Sequence, residues 1–347
     1  MSVTTHSRFE SIGVHLPRRA QSTDELLQQC ATPVPLEDLT GIRSRRVCGD
    51  DEDSVSLAVA AARDCLSRSR HRAEDLDIVI FTSISRVHSD APRMSFEPSM
   101  AGLVKRAIGA RRAIHLDVSN ACAGFMSGVQ IVDRMIKSGV VRTGLVVSGE
   151  KITPIAATAA HEVTDARDPQ VASLTVGDSG AAVVIDRSDD EADRIHHIEL
   201  VTSAAFSTLC YGMPSDRWAG MAMYADNRAM HARDRIQLWP RFQMDVLAKE
   251  GATFESEHYD FVVQHQVGAL AMHLFCRVGA AMFRAPMPES LSVVEEFGNT
   301  ATTSHVLVLH QALHQGRVQG KKVLLVPAAS GIVVGFVSAT LSSVRVA

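Results

Sequence analysis

Cys122, at the join of a strand and a helix, is the residue in this chain best placed to do chemistry. It stands in Asp117-Val-Ser-Asn-Ala-Cys-Ala-Gly-Phe125. Ala121, Ala123 and Gly124 are small, so a ligand or another backbone segment can come close to the thiol. A thiol at a helix start feels the positive end of the helix dipole, which favours thiolate. Thiolate is the nucleophile that takes an acyl group from a thioester. The competing reading is a buried, inert cysteine, and it is the reading adopted for Cys30, Cys48, Cys65, Cys210 and Cys276. Two further short motifs, Gln264-His265-Gln266 and Phe297-Gly298-Asn299-Thr300, are weak when taken alone. One histidine among fifteen is usually structural, and an asparagine at a helix start is usually a cap.

The elements that would carry these residues alternate. Ile78 to Thr82 and Ile114 to Val118 read as strands, the first as a short β-branched apolar run. Ser99 to Ile108 reads as a helix. Cys122 to Lys137 has helical spacing and stops at Ser138-Gly139. Leu145 to Val147 is a strand. Leu174 to Val176 and Ala181 to Ile185 flank Gly177-Asp178-Ser179-Gly180 and read as a hairpin. After the polar, acidic stretch Ser188 to Asp193 the order repeats. Phe261 to Val263 is a strand with a helix after it, Asn299 to Leu313 a helix, Val323 to Val326 a strand, and Ile332 to Leu341 the last strand. Cys122 to Gly139 and Asn299 to Gly316 each span seventeen positions. In both halves a reactive residue type opens a helix that a glycine closes, which is the mark of a duplication. The expected divisions are residues 1–190, holding the cysteine, and 191–347, holding the histidine and asparagine. Two such halves imply a layered α/β architecture. An ordinary doubly wound domain with coincidental spacing is the alternative.

The bulk composition excludes several classes. The 347 residues are 46% hydrophobic and 21% charged, with a net charge of −4. No global field draws such a chain to nucleic acid or to an anionic membrane. The six cysteines form no CxxC pair, disulfide framework or zinc pattern. Free thiols suit a reducing cytosol, the first ten residues lack a signal-peptide core, and no apolar run is long enough to span a membrane. A cytoplasmic protein is expected. There is no dinucleotide fingerprint, P-loop or metal-ligand cluster.

Taken together, the motifs resemble the ketoacyl synthase III branch of the thiolase superfamily. The matching residues are ACAGF around Cys122, QHQ around His265 and FGNTAT around Asn299. GIRSRR near position 43, LTVGDSGAAVVI at 174–185 and the terminal ASGIVVGF match as well. The resemblance covers nearly the whole chain. It implies the thiolase fold, two βαβαββ-type halves in five α-β-α-β-α layers. It further implies an obligate homodimer, and an acyl group carried on Cys122. In that family the histidine and asparagine bond the thioester carbonyl or assist carbanion formation. A neutral imidazole and a carboxamide suit a developing enolate, because they donate without adding counter-charge. Ser330-Gly331 aligns with the turn whose backbone N–H completes an oxyanion hole with that of Cys122. Coenzyme A or phosphopantetheine is implied only as part of the substrate; no metal or other cofactor is implied. In one departure, Gly268 stands where the family often has asparagine, three positions after the histidine.

Ser95-Phe96-Glu97-Pro98-Ser99 separates branches. Typical ketoacyl synthase III chains have no acid there. The olefin-biosynthesis branch, which joins two fatty acyl-CoA molecules head to head, has a matching glutamate that reaches the neighbouring subunit's site as a base. Thr82-Ser-Ile-Ser-Arg86 and Leu209-Cys210-Tyr211-Gly212 are similar to that branch too, although Arg86 to Phe96 is longer here. Decarboxylating a malonyl group makes its own carbanion, whereas joining two plain acyl thioesters needs a base for a weakly acidic α-proton. The alternative for Glu97 is a silent acid at a helix N-terminus. Arg43, Arg45 and Arg46 form a basic cluster suited to the phosphates of an acyl-CoA; an acyl carrier protein is the other donor it would suit, and a solvated loop is the alternative. Met221 and Met223 are candidates for an acyl channel or for plain core.

The leading expectation is a Claisen condensation of two acyl thioesters with a β-keto product. A decarboxylating synthase, an acyltransferase delivering to an alcohol or amine, and a non-catalytic partner subunit are the other readings.

Overall fold

The computed structural model describes residues 5–88, 95 and 97–346. Ten strands build the shared plan of two sheets, and a two-residue strand, Ala328–Ala329, adds to the second. The first half supplies β1 (His6–His15), β2 (Ile78–Phe81), β3 (Ile114–Asp117), β4 (Thr143–Glu150) and β5 (Ser179–Ser188). The second supplies β6 (Ile195–Thr202), β7 (Phe261–Gln264), β8 (Glu289–Ser290), β9 (Lys322–Val326) and β10 (Val333–Thr340). Sheet one runs β1-β5-β4-β2-β3 and sheet two β6-β10-β9-β7-β8. The directions match as well. In each sheet the first two pairings are antiparallel and the last two parallel. The duplication suggested by two spacings is therefore a duplication of topology.

Six helices complete five layers: α1 (Ser54–Arg68), α2 (Met100–Ile108), α3 (Gly124–Lys137), α4 (Leu238–Lys249), α5 (Ala269–Phe283) and α6 (Ser304–His314). α1 and α2 cover the outer face of sheet one. α3 and α6 lie between the sheets. α4 and α5 cover the outer face of sheet two. The inner parallel strand β2 is apolar along its length because both of its faces are buried. Successive side chains point to opposite faces. Ile78 and Ile80 thus meet the central helices, while Val79 and Phe81 meet α1 and α2. In sheet two, Val323 and Leu325 point inward and Leu324 outward. α3 and α6 are each followed by a left-handed glycine, Gly139 at φ 76° and Gly316 at φ 67°.

One expected strand is absent. Leu174 and Thr175 belong to a 3-10 turn, Val171–Thr175, not to a hairpin arm. The carbonyls of Leu174 and Val176 accept instead from the buried Arg45 guanidinium. A separate hairpin, Cys210–Pro214 with Met221–Ala225, stands apart from both sheets.

The halves are tied by a buried carboxylate. Glu150, the last residue of β4, is fully buried. It accepts from Ser83 Oγ at 2.9 Å, Ile84 N at 3.1 Å, Ser85 N at 3.2 Å and Ser85 Oγ at 2.9 Å. Its fifth donor, Thr302 Oγ1 at 2.5 Å, comes from the other half. Thr302 also meets Ser148 Oγ at 2.7 Å, and Thr303 meets Ser179 Oγ at 2.6 Å. Thr302→Val keeps the side-chain shape and removes one donor from a buried charge. A loss of about 2 kcal/mol is expected, read as a lower denaturation midpoint. An unchanged midpoint would deny the tie any role in stability.

Candidate active site

Cys122 follows β3 by a short loop and precedes α3 by two residues. Ala121 sits at φ 44°, in the left-handed region that an alanine occupies only under constraint. The constraint is local. Ala123 N donates to Asn120 O at 3.1 Å, and Gly124 N donates to Ala121 O at 3.0 Å. Asn120 Nδ2 reaches Ser127 Oγ at 2.9 Å, and Ser127 Oγ donates to Ala123 O at 3.0 Å. A Cβ at Gly124 would lie 2.8 Å from Thr82 O, so the helix start backs directly onto the end of β2.

The expected thiolate is not what these surroundings favour. Burial, then the charge of Glu150, then Cys210 push the Cys122 thiol up to about 12. Burial and a nearby carboxylate outweigh the helix terminus, which begins only at Gly124.

His265 ends β7. Its N–H donates to Val326 O at 3.1 Å, and its Nδ1 lies 2.9 Å from Ser304 Oγ. Burial, with the neighbouring His305, pushes its pKa down to about 3, so the ring is neutral near pH 7. Asn299 is held from both sides of its backbone. Its N–H donates to Thr175 O at 2.9 Å, and its carbonyl accepts from Gly177 N at 3.0 Å. Its side-chain Oδ1 accepts from Ala301 N at 3.0 Å. The Nδ2 hydrogens are therefore the part of the carboxamide left to offer a ligand. Gly268, at φ 150°, precedes α5, and a Cβ there would lie 3.3 Å from Thr40 O. The backbone conformation suits glycine, and the asparagine contact of the family pattern is missing.

Cys122, His265, Asn299 and Ser330 line one cavity of about 590 Å³. Its wall is mainly apolar and includes Ile155, Met221, Met223, Met230 and Phe275, with no carboxylate among the described residues. Gly331, at φ 127°, turns the chain towards β10.

The remaining candidates lie elsewhere. Arg45 is fully buried and donates to Leu174 O, Val176 O and Thr23 Oγ1. Burial lowers its pKa to about 10. On the strand Ser44–Val47 its side chain alternates inward, so it braces the segment that holds Asn299 and does not face a phosphate. Arg43 is exposed beside Glu37 and Glu295. Arg46 reaches the carbonyls of Pro17 and Arg18 at 3.4 Å and lies over the Phe297 ring. None of the three lines the cavity. The cationic side chains that do are Lys151 and Arg235. Glu97 is exposed and off the wall. It precedes α2, whose start is fixed by Asp117, which accepts from Ser99 Oγ, Met100 N and Ala101 N at 3.1, 3.0 and 2.8 Å. Residues 89–94 and 96, within the longer stretch before Glu97, lie outside the described residues. Sequence reasoning missed Glu150 and Ser304. Cys210, read as inert, also lines the cavity. No group of three or more histidine, cysteine or acidic side chains is placed to hold a metal among the described residues. No described helix is long and apolar enough to cross a membrane.

This fold, with a cysteine, histidine and asparagine at one apolar cavity, defines a thiolase-type acyl-condensing enzyme. The chain belongs to the ketoacyl synthase III-like branch of the thiolase superfamily. The family model for 3-oxoacyl-(acyl-carrier-protein) synthase III matches residues 116–204, and that for its C-terminal part matches residues 249–340. Similar proteins include β-ketoacyl-(acyl-carrier-protein) synthase III 1 of Bacillus cereus, 28% identical over 336 residues, 94% of this chain and 96% of that one. The Aquifex aeolicus synthase III is 26% identical over 325 residues, 92% and 94% of the two chains. Among solved structures, a Xanthomonas campestris OleA variant with bound lauric acid and lauroyl-CoA superposes with a TM-score of 0.82 at 23% identity. The match covers 96% of this chain and 99% of that one. At that identity the likeness speaks to the fold.

A protonated resting thiol has a direct consequence. Site-resolved alkylation of Cys122 by iodoacetamide is expected to rise about tenfold per pH unit from pH 7 to 10 without levelling. A plateau near neutrality would mean a resting thiolate.

Proposed function

We propose that Cys122 takes an acyl group from an acyl-CoA or acyl carrier protein thioester and that this group is then condensed with a second acyl thioester to a β-keto product. The observation that carries this reading is the convergence of Cys122, His265 and Asn299 on a large apolar cavity. Its volume lies within the range of about 300–1,000 Å³ usual for small-molecule sites, and its wall suits an alkyl chain. The Asn299 carboxamide donates to the thioester carbonyl or enolate oxygen. The backbone N–H groups of Cys122 and the Ser330-Gly331 turn serve the same charge. Six unpaired cysteines suit a reducing, cytoplasmic setting.

The second step needs a base. The wall has no carboxylate among the described residues, and Glu97 stands outside it. We assign Glu97 to the site of a second copy. β3 is the unpaired edge of sheet one, and Ile114 and Leu116 on it are 52% and 44% exposed. An exposed apolar edge is a template for strand pairing. Pairing there, β3 against β3 in a homodimer, brings Asp117 and the α2 start, and with them Glu97, to the interface. Glu97 then removes the α-proton of the second acyl thioester. The resulting carbon attacks the Cys122 thioester, and the Cys122 sulfur leaves. One rival needs no base: a malonyl-type substrate makes its own carbanion by losing carbon dioxide.

Product analysis by mass spectrometry separates these readings. Long-chain acyl-CoA alone is expected to give a β-keto product, and Glu97→Gln is expected to lower its yield at least about 100-fold while acylation of Cys122 persists. Product only with malonyl thioester, indifferent to Glu97, would establish the decarboxylating route. Acyl-Cys122 without any condensation would point to transfer onto an alcohol or amine. Mixed dimers of Cys122→Ala and Glu97→Gln subunits are expected to regain activity, since each mixed dimer assembles one complete site. No recovery would place Glu97 in its own subunit's site or outside catalysis.

A further inference from the structure

The hydroxyl beside His265 decides which ring nitrogen carries the proton. Ser304 Oγ lies 2.9 Å from Ala301 O and 2.9 Å from His265 Nδ1, and Ser304 is fully buried. Two oxygens at that distance need a proton between them. A backbone carbonyl has none to give, so the serine proton is spent on Ala301 O. The contact with His265 must then be bridged by the imidazole's proton, with Nδ1 as donor and Oγ as acceptor. The opposite assignment would leave the buried Oγ and Ala301 O facing each other unbridged. A neutral ring has one N–H, so Nε2 is left with its lone pair. The other buried ring nearby does not compete: His305 lies 6.1 Å from His265 between centroids, nearly parallel at 18°.

We propose that Ser304 is a positioning residue that fixes His265 as the Nδ1–H tautomer, so that His265 enters the reaction through Nε2 as a proton acceptor and not as a donor. The chemical consequence rests on the reading of Cys122 and His265 as partners in acyl loading; the tautomer does not. As the Cys122 sulfur attacks the donor thioester carbonyl, its proton passes to Nε2. The bond from Cys122 sulfur to the acyl carbon forms, and the bond from that carbon to the coenzyme A sulfur breaks. The departing thiolate takes the proton from Nε2, giving acyl-Cys122 and free coenzyme A thiol with His265 neutral again. Only while it holds that proton does Nε2 donate to the carbonyl oxygen. A resting thiol that is not ionised needs such an acceptor at the moment of attack.

The test reads the tautomer directly. Protein labelled with 15N-histidine is examined by two-bond proton–nitrogen correlation near neutral pH, and the His265 signals are assigned by their loss in His265→Asn. The expected pattern is a protonated Nδ1 and an unprotonated Nε2. Ser304→Ala is expected to shift His265 towards Nε2–H and to slow acylation of Cys122 by acyl-CoA about 100-fold. Ser304→Thr, which keeps a hydroxyl, is expected to retain both the wild-type tautomer and most of the rate. An Nε2–H tautomer in the wild type, or an unchanged tautomer in a folded Ser304→Ala, would overturn the proposal. The expected tautomers with no acyl-Cys122 in any variant would support the assignment of Ser304 while overturning the acyl-loading reading.

Discussion

A carboxylate buried where the two halves meet fixes most of what surrounds it. Glu150 is held by five donors, four from the loop after β2 and one from the turn that follows Asn299. Burying a charge is costly unless it is fully bonded. The arrangement therefore persists only while both loops keep their places. One of those loops backs the start of the helix behind Cys122, and the other carries Asn299. The same charge raises the Cys122 thiol. A single group thus ties the two halves of the site together and adds to the burial that keeps its sulfur protonated.

The duplicated topology explains why the candidate residues come from separated parts of the chain. Cys122 follows β3, and Asn299 follows β8, the strand in the same place in the second sheet. His265 follows β7, whose counterpart β2 leads into Ser83 and Ser85. The two halves share one backbone plan but bring different groups to the cavity: the first a sulfur beside a buried carboxylate, the second an imidazole and a carboxamide. Both turns hold an alanine in the left-handed region, Ala121 at φ 44° and Ala301 at φ 51°. The strain sits beside the residues that must be aimed, as expected when backbone conformation is subordinated to a site.

Periodicity and punctuation made the fold legible because buried parallel strands are short, β-branched and bounded by turn residues. The strand before Cys122, the helix after it and the closing glycine could all be read this way. Long-range partners could not. Nothing local in Arg43-Ser-Arg-Arg46 distinguishes Arg45, which turns inward onto Leu174 O and Val176 O, from Arg43, which stays in solvent. The same guanidinium explains the misread hairpin arm, because it takes carbonyls that a strand would have used. Glu150 ends a strand and reads as an ordinary boundary residue. Its importance lies in Thr302, 152 positions away. Ser304 escaped notice for the same reason: its partner His265 is 39 residues upstream. The state of the Cys122 thiol was misjudged because a helix start is visible in sequence and a buried neighbouring charge is not.

The cavity has a rigid floor and a softer ceiling. The floor is pinned by hydrogen bonds between the halves, whereas Met221 and Met223 reach the cavity from a hairpin that belongs to neither sheet. Methionine fills irregular space and tolerates exchange. Substitutions in that hairpin would reshape the cavity while leaving the contacts between the two halves in place. The shape of the cavity and the placement of Cys122, His265 and Asn299 rest on separate parts of the scaffold, and selection can alter the first without disturbing the second.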